Sequence, residues 1–144
     1  MPQTKVNKGE LYAMPFMAMN GASNEYTQIR GSDWNPLTNL IPNTDITFTP
    51  TVDMKVTLML SYSAAYGGGS YEFSPAICIK VGSAAMTVLY APIGNIMAAD
   101  WANQRAETQT SLTAGVTYLF QGGVSTSTNR NIRHRQLLLI AVPV

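Results

Sequence analysis

The sequence predicts an all-β protein: an antiparallel β-sandwich, jelly-roll-like, with an extended N-terminal arm. Three observations predict it. From residue 44 onward, short runs rich in β-branched and aromatic residues recur at close spacing, bounded by Gly, Pro, Ser or Asn. The longest of the regular runs alternates at period two: Val52, Met54, Val56, Leu58 and Leu60 share one face, and Asp53, Lys55, Thr57, Met59 and Ser61 the other. The chain then closes on its most apolar segment, Leu137 to Val142, halted by Pro143. A run that poor in polar groups is expected in the middle of a sheet with both faces covered.

Taken in order, residues 1–43 form an arm or edge segment and residues 44–144 the sandwich domain. In the first part, Leu11, Tyr12, Met14, Phe16, Met17 and Met19 make an apolar patch broken by Pro15 and ended by Asn20-Gly21. Two readings are open for it: packing on its own domain, or clamping onto a neighbour, which the adaptable methionine side chains would suit. Trp34-Asn-Pro36 and Ile41-Pro42 add further breaks. Ile46 to Thr49 alternates, and Pro50 separates it from the run that starts at Val52. Gly67-Gly-Gly-Ser70 reads as a turn. Ile77–Val81 and Ala85–Tyr90 flank Gly82-Ser83 as a hairpin. Ile96 to Gln104 is read as a short helical turn, and Ala106 to Ser111 as a polar, solvent-facing strand. Val116 to Gln121 follows a Thr-Ala-Gly turn at 113–115.

Composition bounds the function. A chain of 144 residues suits one core, and its formal charge of +1 lacks the basic bias of a nucleic-acid binder. Only 12% of residues are charged, against about 25% in an ordinary domain. Either partners cover much of the surface, or the surface is a quiet extracellular one. Cys78 has no second cysteine to pair with and sits in an apolar run, so a buried, unreactive thiol is expected. No run reaches the roughly 18 apolar residues of a membrane span, and the first residues show no signal-peptide pattern. Neither nucleic acid nor membrane is expected as a partner, and synthesis is expected in a cytoplasm.

Residues for catalysis are sparse. The one histidine, His134, lies between Arg133 and Arg135, and two adjacent cations disfavour the imidazolium that a Ser-His-Asp triad forms. No Cys/His spacing suits a metal, and no cofactor motif occurs. Glu72 and Glu107 could form a glycosidase pair, although nothing in their context favours it. Asp53 is expected in solvent or beside Lys55. Two features could bind. Arg130, Arg133, His134 and Arg135 form a basic cluster suited to acidic protein surfaces; in an extended strand Arg133 and Arg135 would share one side, and Ile132 and His134 the other. Trp34, Tyr62, Tyr66, Tyr71 and Trp101 lie on or near loops, where aromatics cap a core, stack on sugars or anchor a protein.

Leu112-Thr-Ala-Gly-Val-Thr-Tyr-Leu-Phe, a polar loop and Leu-Leu-Leu-Ile resemble the last two strands of tumour-necrosis-factor/C1q-like jelly rolls. Ile46 to Tyr62 looks like the companion stretch in small trimeric proteins of tailed-bacteriophage particles, where such sandwiches serve as capsid decoration knobs, tail-fibre tips and head fibres. The resemblance covers residues 44–144. It implies a homotrimer with the closing strands near the threefold axis. The expected function is therefore that of a non-enzymatic virion structural protein, a capsid decoration or cement protein bound to the major capsid protein. In it, Leu11, Tyr12, Met14, Phe16, Met17, Met19, Arg130, Arg133, His134 and Arg135 would meet partners. The alternative is a tail-fibre or spike knob that recognises host glycan or protein through Tyr66, Tyr71 and Trp101.

Overall fold

The structure, a computed structural model, describes residues 14–23, 26–29, 34–65, 71–92, 95–97, 101–126 and 130–144. Two antiparallel sheets face each other. The first runs in the order β1 (Phe16–Ala22), β10 (Arg130–Pro143), β4 (Met54–Ala65), β8 (Ala102–Leu112), with β2 (Tyr26–Ile29) also on β10. The second runs β3 (Ile46–Phe48), β9 (Tyr118–Thr126), β5 (Tyr71–Val81), β6 (Thr87–Tyr90), with β7 (Asn95–Met97) also on β5. The protein is an all-β, jelly-roll-like sandwich. Among the described residues no helix is long and apolar enough to cross a membrane.

Period-two alternation builds the core. Met54, Val56, Leu58 and Leu60 of β4 point inward and are buried, beside Leu137, Leu139 and Ala141 of β10. Ile46, Phe48, Ile77, Ile79, Tyr118 and Phe120 meet them from the second sheet. Full burial of one such large side chain is worth about 1.5–3 kcal/mol. Gly122 lets the sheets close: a Cβ there would sit 2.6 Å from Leu60 Cδ1. The missing side chain is the socket for the leucine of the opposite sheet.

Residues 39–48 run along one edge of β9. Ile41 N donates to Gly122 O at 2.8 Å, and Val124 N to Asn39 O at 3.0 Å. Asn43, at φ 61°, makes the kink between this contact and β3. The buried Thr44 hydroxyl closes it, donating to Ile41 O and accepting from Gly122 N. At the other end of the sandwich, Asp53 is exposed, as one of the two expectations had it, and it also holds a turn. Its Oδ1 accepts from Ala114 N at 2.9 Å and so fixes the 113–115 turn that feeds β9.

Several expectations change. Ile96 to Gln104 is not a helical turn, since Asn95–Met97 pairs with β5 and Ala102 opens β8; sheet pairing outweighs a weak local preference. β10 does lie mid-sheet, but among the described residues only one face is covered: Leu138 and Ile140 are half-buried and Val142 is 43% exposed. Phe16–Ala22 pairs with Arg135–Ala141 along its whole length. The Gly67–Ser70 turn lies outside the described residues.

Cys78, on β5, is fully buried, and burial pushes its thiol up from 9.0 to about 11. Folding thus favours the neutral thiol. That preference is complete below about pH 9 and is lost as pH rises through 11. A disulfide reagent at pH 8 is expected to leave native protein unlabelled and to label it fully in denaturant. Rapid stoichiometric labelling of the native chain would contradict the buried site.

Candidate interaction surface

Cross-strand partners share a face of a sheet. On the first sheet Met17 lies opposite Ile140, Met19 opposite Leu138, and Leu138 opposite Met59. These side chains alternate with the core residues and therefore all point away from the sandwich. Met17 and Met19 are 67% and 64% exposed. With Val142 they form one apolar stripe over three adjacent strands, which is what a solvated sheet face normally avoids. Towards β8 the face turns polar, with Thr57 opposite Gln109, Met59 opposite Glu107 and Lys55 opposite Ser111. Phe16 points the other way and stacks on Phe48 at 4.6 Å, forming the floor of an open hollow of about 410 Å3 beside Met14 and Pro15.

The basic cluster is split by a β-bulge. Between Arg133 and Gln136 the register of β10 against β4 shifts, and His134 adopts φ 50°. The extra residue reverses the alternation. Ile132, Arg135 and Leu137 all turn inward, so Arg133 and Arg135 do not share a side as an unbulged strand requires. Arg135 is 3% exposed, and its Nε donates to Pro42 O at 2.7 Å, tying β10 to the kink before β3. Arg133 stays on the outer face, its guanidinium 3.9 Å above the Trp101 ring. That cation–π contact compensates an Nε without an acceptor among the described residues. His134 is exposed between two hollows of about 300 and 330 Å3, one bordered by Met19 and Gly21, the other by Ser61, Asn103 and Arg105.

The candidates thus part company. Met17, Met19, Arg133 and His134 share the outer face of the first sheet; Met14 and Phe16 lie round its edge; Arg135 is a structural anchor. Arg130 lies on β10 opposite Ile29. Trp101 is half-buried with one ring face taken by Arg133. Tyr71 and Glu72 belong to β5, and Glu107 is exposed on β8. Leu11, Tyr12 and Tyr66 lie outside the described residues. Tyr62 is buried in the core. Sequence reasoning passed over Leu138, Ile140, Val142 and Met59, although a strand through six consecutive apolar residues must turn half of them outward.

No protein-family model and no curated protein sequence matches the chain. Solved structures share its fold. A structure of infectious bursal disease virus Gx strain matches at TM-score 0.50 and 9% identity, over 90% of this chain and 32% of that one, so the chain spans about a third of its length. The tandem CBM22 domains of Paenibacillus barcinonensis Xyn10C match at TM-score 0.48 and 12% identity, over 90% and 39%. CBM35 from Cellvibrio japonicus Abf62 matches at 0.44 and 13%, over 90% and 99%. At these identities the likeness is one of fold.

Proposed function

We propose that this chain is a non-enzymatic virion structural protein of a tailed phage, a homotrimeric decoration or cement protein seated on the major capsid protein. The carrying observation is the apolar stripe of Met17, Met19, Leu138, Ile140 and Val142 on the outer face of the first sheet. Three of these five residues come from β10, the strand that the trimeric resemblance puts near the threefold axis. Three copies that turn this face to a common axis remove the stripe from water, at about 25 cal/mol per Å2 of apolar area. The low charge fits a chain whose surface is shared with partners.

Light scattering on the purified protein is expected to give about 47 kDa, three chains of 15.6 kDa. Met17→Lys combined with Ile140→Lys is expected to give a folded single chain. A monomeric wild-type protein would overturn the trimer. Copy number in purified particles separates the roles: hundreds of chains mark a decoration protein, a few to tens the receptor-binding knob.

A further inference from the structure

Strand edges tell a second story about this sheet. An edge strand offers a row of backbone donors and acceptors to any incoming strand, and proteins blunt such edges by shortness, bulges, Pro, Gly or Lys. β3 has three residues, and β6 has four with a register shift against β5. β1 starts beside Pro15 and carries Gly21. β8 has none of these, and its one blunting feature is a pair of charged side chains. Its 11 residues, Ala-Asn-Gln-Arg-Ala-Glu-Thr-Gln-Thr-Ser-Leu, pair with β4 in unbroken register and, among the described residues, with no other strand.

The charges on β8 point to the occupant. Arg105 and Glu107 are its only two, both exposed, of opposite sign, and symmetric about Ala106. We infer that β8 pairs antiparallel with β8 of a second copy about a twofold axis at Ala106. In this register Arg105 of each chain faces Glu107 of the other, giving two cross-strand ion pairs, and Asn103 faces Gln109. A two-residue slip that centred the pairing on Glu107 would set the two Glu107 carboxylates opposite each other. The joint extends the first sheet continuously from one copy into the next. It uses the edge opposite β1, so it deepens the proposed function by linking neighbouring trimers, yet it does not depend on the apolar stripe.

Charge reversal tests the register. Sedimentation of the wild-type protein over a concentration series should show its basic unit associating further: a single chain doubles, whereas a trimer, with three β8 edges, doubles first and then adds more neighbours. Arg105→Glu alone and Glu107→Arg alone each set like charges opposite one another and should weaken doubling about ten- to a hundredfold. Mixing the two variants pairs opposite charges at both positions and should restore it. Both side chains are exposed, so at dilutions where the wild-type unit is also undoubled the thermal midpoints of the variants should stay at the wild-type value. In hydrogen exchange, alternate amides of residues 102–110 should gain protection as the wild-type unit doubles. Wild-type protein that never doubles, single variants that double equally well, or a mixture no better than either variant would each overturn the inference. Because the doubling is read relative to the basic unit, a failed trimer and a failed joint give different masses.

Discussion

Phe120→Ala is expected to cost about 3–5 kcal/mol of unfolding free energy. Phe120 is fully buried on β9, opposite Ile46 and Ile79, with its ring parallel to that of Tyr118 at 6.1 Å. It fills the space between the two sheets, where the backbones hold their distance and cannot collapse onto the void. Against a typical total of about 5–15 kcal/mol, the loss is about a fifth or more. Urea titration should show a lower midpoint at unchanged slope. Phe48→Ala provides the comparison. Phe48 borders the hollow beside Pro15, so its removal enlarges a space already open to water and should cost less. Equal losses at the two positions would mean that the sheets do relax around Phe120.

The second large effect is expected at Gly21, on β1. A Cβ there would lie 2.5 Å from the Arg135 carbonyl oxygen, a backbone atom with little freedom to move. β10 is held at that point from both directions: His134 takes the left-handed conformation of the bulge, and the Arg135 side chain is anchored on Pro42 O. The added methyl must therefore displace β1. Gly21→Ala should lose about 1–3 kcal/mol, in the range for overpacking. Because Met17 and Met19 ride on β1, the same change should also loosen self-association. An unchanged urea midpoint would show that the bulge yields.

Where the chain is locally periodic, the sequence was easy to read. Met54, Val56, Leu58 and Leu60 occupy the core face that their spacing assigns. The Gly82-Ser83 hairpin joins β5 to β6, and Pro143 ends β10. What escaped depends on strands distant in sequence. The bulge at His134 exists because β4 has one residue where β10 has two, and nothing in Arg133-His134-Arg135 announces it. β7 is three residues long and is defined by its partner, β5, so its own composition carried no signal. The interaction surface was half legible. The methionines drew attention by their number, whereas Leu138, Ile140 and Val142 passed as core because a sheet covered on both sides was expected.

The place of β10 between β1 and β4 has a consequence for biosynthesis. Every strand that it joins leaves the ribosome before it does. Until residues 130–143 clear the exit tunnel, β1 and β4 have no common neighbour, and the first sheet exists only as the β4–β8 pair. Nascent chains must therefore wait, apolar strands unpaired, for a strand made after all its partners. That interval is where a chaperone would act on this protein, and where crowding on a polysome would favour aggregation.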